Sequence, residues 1–128
     1  MHPAAPPDRR LFVYGTLRFA PVLTALLGRV PDSTPAEAPG WRAAALRGRP
    51  YPGLVPAEPG LVRGRVLTGL SGDEWRRLDD FEGPEYVVQE LALKGGGTAL
   101  AYVWAMGDVL PQDWDPDEFE ARHMHLYV

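Results

Sequence analysis

Three acidic residues stand at the end of a short amphipathic segment, in the stretch Leu78-Asp-Asp-Phe-Glu-Gly83. The segment is predicted to be a helix, and the C-terminal end of a helix carries a partial negative charge that disfavours carboxylates. A carboxylate that is held there and screened from water has a raised pKa, which suits general-base chemistry near neutral pH. Glu82 is therefore a candidate general base. The competing interpretation is a solvated acidic face, formed by Asp79, Asp80 and Glu82, that ends in a Gly-Pro turn.

A second candidate site lies in Leu11-Phe-Val-Tyr-Gly-Thr-Leu-Arg18, where an apolar run leads directly into Gly15 and Thr16. The run predicts a buried strand, and a glycine at its end lets a ligand approach the backbone N–H groups. Such N–H groups bind carboxylates and oxyanions. The competing interpretation is a tight strand-to-helix turn in which Gly15 adopts a positive φ angle.

The remaining residue types argue against several other kinds of site. The chain has no cysteine, which excludes disulfides, thiolate nucleophiles and cysteine-based zinc sites. His123 and His125 would point to different faces of a helix, so we expect no metal site. Ser33 and Ser71 lack the strand-turn-helix context of a serine nucleophile.

The elements that would hold these residues alternate between short strands and short helices. Strands are predicted over residues 11–14, 41–46, 61–67, 86–93 and 98–105, and helices over 20–27, 71–81 and 116–124. Residues 30–40 are predicted to be loop and edge strand, and residues 48–60, which are rich in proline and glycine, to be irregular. Ser71 and Glu74 match a capping box, residues 94–97 predict a hairpin turn, and Asp115 is expected to cap the last helix. The predicted class is α+β with a strongly bent or barrel-like sheet.

Length and composition indicate one soluble domain. A chain of 128 residues fits a single domain, expected over residues 11–128, behind a proline-rich leader over residues 1–10 that we expect to be disordered. The net charge of -4 argues against a nucleic-acid partner, because there is no basic excess to replace counterions. No apolar stretch reaches membrane-spanning length or resembles a signal peptide, so we expect a cytoplasmic protein without a membrane partner.

Taken together, these motifs resemble the gamma-glutamylcyclotransferase family, in its avirulence-induced-gene-like branch. The matching stretches are Val13-Tyr-Gly-Thr-Leu-Arg18, Tyr51-Pro-Gly53, Gly64-Arg-Val66, Leu78-Asp-Asp-Phe-Glu-Gly83 with Tyr86, Ala101-Tyr-Val103, and Trp114-Asp-Pro116 with Phe119. They occur in the family's order and cover about residues 11–128. The pairing of the first stretch with the Leu-Asp-x-Phe-Glu-Gly stretch is the most specific part of the resemblance.

The resemblance implies a small mixed β-barrel with flanking short helices, and an enzyme that needs no cofactor. The implied substrate is a small γ-glutamyl molecule, a γ-glutamyl amine or γ-glutamyl amino acid, which is converted to 5-oxoproline and a free amine. By resemblance, Glu82 is the catalytic acid and base. The implied substrate-binding residues are Tyr14, Gly15, Thr16, Leu17 and Tyr86.

Two alternatives remain open. Val88 stands where many relatives carry an arginine, which favours a non-catalytic domain that keeps the fold and binds a small carboxylate. The other alternative is a hydrolase or another lyase that uses Glu82 on a different amide. The motifs specify neither the leaving group nor the oligomeric state.

Overall fold

The computed structural model of the protein describes residues 9–128. Its strands are β1 (Leu11–Val13), β2 (Ser33–Leu46), β3 (Gly53–Leu67), β4 (Tyr86–Ala92), β5 (Thr98–Trp104) and β6 (Val109–Asp113). Its helices are α1 (Ala20–Leu27), α2 (Gly72–Glu82) and α3 (Pro116–Arg122), with 3₁₀ helices at Thr16–Arg18 and Met124–Leu126. Most of the leader expected over residues 1–10, namely residues 1–8, lies outside the described residues. At 11 residues α2 is the longest of the described helices, and none of them has the length and apolar character needed to cross a membrane.

The six strands form one mixed sheet in the order β4-β5-β1-β3-β2-β6. β1 is parallel to β5 and antiparallel to β3, and the other neighbouring pairs are antiparallel. The N–H of Lys94, just after β4, donates to the carbonyl of Glu37 in β2 over 2.9 Å, so the sheet curves into a half-barrel. With three short helices beside this sheet, the predicted α+β, barrel-like class is confirmed.

Alternation along β1 divides the core between the two faces of the sheet. Leu11 and Val13 pack with buried residues of the three helices, whereas Phe12 and Tyr14 pack with residues of the other strands. Successive side chains of a strand point to opposite faces, so this division follows from the strand itself. It places Tyr14 on the inner face of the half-barrel, at the point where β1 ends.

The prediction of an irregular segment over residues 48–60 is wrong in its second half, because β3 begins at Gly53. β2 and β3 form a long antiparallel pair in which Trp41 lies opposite Pro56, and the register shifts between Pro39 and Trp41. β1 reaches only the last part of β3, at residues 65–67. Within residues 9–128, the earlier part of β3 therefore pairs with β2 alone. Prolines are tolerated on such strand edges and at bulges.

Further differences from the prediction lie at weakly patterned segments. Residues 33–40, predicted as loop and edge strand, are strand throughout and form the first half of β2; the edge-strand part of the prediction is confirmed, because among the described strands only β3 pairs with them in the sheet. The sequence pattern does not predict β6, which is mostly exposed and pairs with β2 through Ala44 and Leu46. A strand without a buried face shows no alternation of apolar and polar residues, so periodicity cannot detect it. Helix α3 ends at Arg122, slightly before the expected end near Met124.

Helix α2, which carries the candidate base at its end, begins at the predicted capping box. The hydroxyl of Ser71 accepts a hydrogen bond from the N–H of Glu74 over 3.1 Å, and the carboxylate of Glu74 accepts one from the N–H of Ser71 over 3.0 Å. Arg29, just after α1, donates to both oxygens of Glu74 over 2.8 and 2.7 Å. Trp75 and Leu78 are buried in the same cluster as the outer face of β1. These contacts hold α2 in a defined position relative to α1 and β1.

Candidate active site

Two hollows meet beside the end of β1. The inner hollow is narrow, with a volume of about 20 Å³, and lies between the loop that follows β1, residues 51–52 and the end of α2. The outer hollow, with a volume of about 250 Å³, extends from there toward Phe81, Glu85 and Tyr127. Thr16, Tyr51, Glu82 and Tyr86 line both hollows and so form the neck between them.

The structure brings together the residues that the sequence singled out. The inner hollow is lined by all six of them, namely Tyr14, Gly15, Thr16, Leu17, Glu82 and Tyr86. They come from three separate segments of the chain: the loop after β1, the end of α2, and the start of β4.

Glu82 is the last residue of α2, directly before Gly83, whose φ of 78° ends the helix. Its side chain is partly buried at the neck, and within residues 9–128 its carboxylate accepts no hydrogen bond. Burial raises the pKa of Glu82 from 4.5 to about 8. A carboxyl group with this pKa can take up and release a proton near neutral pH, which general acid–base catalysis requires.

The loop after β1 lines the inner hollow and contains backbone N–H groups without a partner. The N–H groups of Arg18 and Phe19 donate to the carbonyls of Gly15 and Thr16 over 3.0 and 3.3 Å. Among the described residues, the N–H groups of Gly15, Thr16 and Leu17 have no acceptor, as expected for the first turn of a helix. Consecutive free N–H groups of this kind bind carboxylates and oxyanions.

Gly15 is needed for space and not for a left-handed backbone. Its φ is −120°, so the interpretation that the turn requires a positive φ is wrong. A Cβ atom at this position would lie 2.6 Å from Cγ of Pro52, closer than two carbon atoms can approach. The loop therefore packs tightly against the turn at residues 51–52, and both segments line the inner hollow.

All five tyrosines of the chain line one or both hollows. The hydroxyl of Tyr14 donates to the carbonyl of Tyr102 over 2.5 Å, and that of Tyr86 donates to the carbonyl of Pro52 over 2.6 Å. Burial is the largest cause of a raised pKa at Tyr14 and Tyr86, and the charge of Glu82 adds to it. These phenols therefore stay neutral at physiological pH and remain hydrogen-bond donors.

Three of the lining tyrosines are not predicted as site residues by any local pattern. Tyr51 and Tyr102 lie in two of the stretches that carry the family resemblance, and this is the one signal that could have found them. Tyr127 is expected from sequence only to pack within the C-terminal element. It does contact Phe119 and Phe81, with ring centroids 5.2 and 6.0 Å away, but it also lines the outer hollow.

The acidic stretch at the end of α2 is divided between two surfaces. Asp79 and Asp80 line neither hollow but face a separate groove on the surface, together with Arg76 and Val88. Val88 lies opposite Tyr102 in the pairing of β4 with β5. Position 88, where many relatives are expected to carry an arginine, is therefore outside both hollows.

The two hollows combine acidic and phenolic groups with neutral backbone donors. Among residues 9–128, no lysine or arginine side chain lines either of them, so an anion bound there would be held by neutral N–H and O–H donors. Across residues 9–128, no group of three or more His, Asp or Glu residues is placed to hold a metal ion. The arrangement can hold a small anionic group beside a carboxyl that exchanges protons near neutral pH.

Comparison with known proteins agrees with this geometry. Residues 11–122 match the family described as gamma-glutamyl cyclotransferase, AIG2-like. AIG2-like protein A of Arabidopsis thaliana is 43% identical over 126 residues, which cover 92% of this chain and 76% of that protein. The solution structure of another Arabidopsis thaliana protein superposes with a TM-score of 0.75 at 28% identity, covering 99% of this chain and 81% of that one. A gamma-glutamyl cyclotransferase of known structure shares the fold, with a TM-score of 0.62 at 17% identity over 80% of this chain and 69% of its own.

Proposed function

Because the chain belongs to the AIG2-like gamma-glutamyl cyclotransferase family, we propose that it converts a γ-glutamyl amine or γ-glutamyl amino acid into 5-oxoproline and a free amine. The observation that carries this proposal is that one small hollow is lined by Glu82 and by residues 15–17, whose N–H groups have no acceptor among the described residues. The substrate supplies both the nucleophile and the electrophile, so the reaction calls for no cofactor.

The shapes of the two hollows suggest how the substrate would lie. One anionic group of the γ-glutamyl part reaches into the inner hollow, where the N–H groups of residues 15–17 hold either its α-carboxylate or the oxyanion that forms at the γ-carbonyl. The scissile amide then lies at the neck beside Glu82, and the leaving amine extends into the outer hollow.

In the reaction, Glu82 first takes a proton from the α-ammonium group of the substrate. The free amine attacks the γ-carbonyl carbon, and the new C–N bond closes a five-membered ring. Glu82 gives its proton to the leaving nitrogen as the original amide bond breaks, and it removes the second proton from the ring nitrogen. The released amine collects that proton, so Glu82 returns to its ionised form and no proton is gained or lost.

Much of the rate enhancement would come from geometry. Holding the amine in line with its own γ-carbonyl can lower the barrier by roughly 7–11 kcal/mol at most, since both groups belong to one molecule. General acid–base catalysis by Glu82 would add about 10²–10⁴-fold.

The proposal is tested by measuring 5-oxoproline release from a panel of γ-glutamyl amines and γ-glutamyl amino acids. We expect Glu82→Gln to keep the fold and to lower kcat by at least about 10²-fold, because the amide can neither take up nor release the proton. Glu90→Gln, which changes an exposed glutamate on β4, is the matched control and should match the wild type. Near-wild-type turnover by the Glu82→Gln protein would show that another group is the base.

Two other outcomes decide between the remaining alternatives. Saturable binding of 5-oxoproline or glutamate without turnover of any γ-glutamyl compound would identify a carboxylate-binding domain. Release of glutamate in place of 5-oxoproline would identify a hydrolase that uses the same carboxyl.

A further inference from the structure

Tyr102 connects the two halves of the candidate site through two hydrogen bonds. Its hydroxyl donates to Oδ1 of Asp79 over 2.7 Å, and its backbone carbonyl accepts the hydroxyl of Tyr14 over 2.5 Å. Tyr102 belongs to β5 and is only 4% exposed, so its own position is set by the sheet. One of its bonds therefore reaches the helix that carries Glu82, and the other reaches the residue that precedes the free N–H groups of the loop.

Asp79 is the contact through which Tyr102 reaches Glu82. The two acidic residues are three positions apart on α2, a spacing that makes them neighbours on the helix surface. The backbone carbonyl of Asp79 also accepts the N–H of Gly83 over 3.0 Å, in the bond that closes the last turn of the helix. Asp79 thus holds the end of α2 with its main chain and attaches that end to β5 with its side chain.

A carboxylate near a helix C-terminus is electrostatically disfavoured, and the last turn of a helix frays easily because its carbonyls lack partners. The donated hydrogen bond from Tyr102 offsets both effects at Asp79. It does so from within the wall of the inner hollow, which Tyr102 lines together with Glu82.

We infer that Tyr102 is a positioning residue, which holds the carboxyl of Glu82 at a set distance from the N–H groups of residues 15–17 through Asp79 on one side and Tyr14 on the other. This inference rests on the proposed function. Its hydroxyl is directed to Asp79 and is assigned no proton transfer in the reaction.

The test compares Tyr102→Phe, Asp79→Ala and Asp79→Asn with the wild-type protein. Tyr102→Phe removes only the hydroxyl and keeps the backbone carbonyl that Tyr14 uses. We expect Tyr102→Phe and Asp79→Ala each to lower kcat about 10–100-fold, because a small misplacement of a catalytic group costs about that much, while KM stays within about threefold. Asp79→Asn keeps an oxygen acceptor for the Tyr102 hydroxyl and should restore most of the activity.

Two controls separate positioning from general destabilisation. Asp80→Ala removes the adjacent exposed carboxylate, which makes no bond to Tyr102, and should leave kcat unchanged. Because both Tyr102→Phe and Asp79→Ala remove the bond between the two side chains, the double variant should be no worse than Asp79→Ala alone. Additive losses, or wild-type kcat in either single variant, would overturn the inference.

Hydrogen exchange gives a readout that does not depend on the proposed reaction. The N–H of Gly83 should exchange faster with solvent in Tyr102→Phe and Asp79→Ala than in Asp80→Ala, because the last turn of α2 is released from β5. If the wild-type protein releases no 5-oxoproline, the proposed function fails while this measurement still decides whether Tyr102 holds the helix end. Unchanged exchange at Gly83 would overturn the positioning role even in an active enzyme.

Discussion

At Glu82, two requirements of a general base oppose one another. Burial disfavours the charged form of a carboxyl, yet the carboxyl must be ionised before it can accept a proton. A substrate ammonium beside it would shift this balance, because a nearby opposite charge stabilises the carboxylate. Proton transfer then converts the ion pair into two neutral groups, which suits hollows that no lysine or arginine in the described part of the chain lines.

The pH dependence of activity follows from the pKa of Glu82. Since that pKa is about 8, the group is protonated below this pH and ionised above it. We expect kcat/KM to rise about tenfold per pH unit as the pH increases toward 8, and to fall again where the substrate ammonium loses its proton. Initial rates across the alkaline and acidic range measure this profile. An acid limb centred near 4.5, the ordinary value for a glutamate, would contradict the assigned pKa.

Gly15 should tolerate no side chain. A Cβ atom would lie 2.6 Å from Cγ and 3.0 Å from Cδ of Pro52, so Gly15→Ala must push the loop away from the turn at residues 51–52. Overpacking of this kind costs about 1–3 kcal/mol, and we expect KM to rise roughly tenfold or more. The matched control is Gly107→Ala, because a Cβ there meets no atom within 4 Å. Equal KM values for the two variants would mean that the close contact does not shape the hollow.

At the level of secondary structure, α2 decides where Glu82 lies. Ser71 starts the helix through its capping box, and Gly83 ends it with a positive φ of 78°, so the helix has a defined length with Glu82 at its last position. Arg29 then fixes the start of α2 to the end of α1 through Glu74. The start of α2 is therefore fixed to α1 and its end is defined by Gly83, so the position of the Glu82 carboxyl is defined as well.

Removing the cap should destabilise the protein measurably. Ser71→Ala leaves the N–H of Glu74 without its acceptor and should lower the free energy of unfolding by about 1 kcal/mol. Ser71→Asp keeps an oxygen acceptor and should lie close to the wild type. Urea denaturation of the three proteins compares them directly, and equal midpoints for Ala and wild type would show that the cap does not contribute.

At the level of the whole molecule, the site depends on β1 lying between β3 and β5. This central position brings the loop after β1, the turn before β3 and the residues of β5 to one place. The backbones of β1 and β3 approach closely at Gly64, where a Cβ atom would lie 2.2 Å from the carbonyl oxygen of Val13. Gly64 is thus a requirement of strand packing.

Gly64→Ala should therefore destabilise the entire fold. The new methyl group meets the backbone of β1 and the ring of Phe12, neither of which can move freely, so we expect a loss of about 3 kcal/mol or more. Gly72→Ala is the control, because the nearest atom to its Cβ is the flexible end of Arg76, 4.0 Å away. Thermal unfolding should show a large fall in Tm for the first variant and almost none for the second. Similar Tm values would contradict the close packing of β1 on β3.

Features that depend on neighbouring residues in the chain were predictable from it. The capping box at Ser71 and Glu74, the stop at Gly28 after α1, and the burial of β1 are all encoded within a few residues. The prolines between residues 50 and 59 led to the wrong prediction of an irregular segment. Whether a proline is compatible with a strand depends on which side of β3 is paired. Pairing of strands is not a property of the local sequence.

The candidate site likewise has a part that could be predicted from the sequence and a part that only the fold creates. Glu82 and the loop at residues 14–17 could be singled out from the sequence. A carboxylate at the C-terminal end of a helix is unusual because the helix dipole disfavours it, and a glycine at a strand end allows a ligand to approach the backbone. Tyr51, Tyr102 and Tyr127 are far apart in the chain and meet around Glu82 only because the sheet order and the C-terminal segment bring them there. The pKa of Glu82 likewise arises from burial by side chains of other elements, which exists only once the chain has folded.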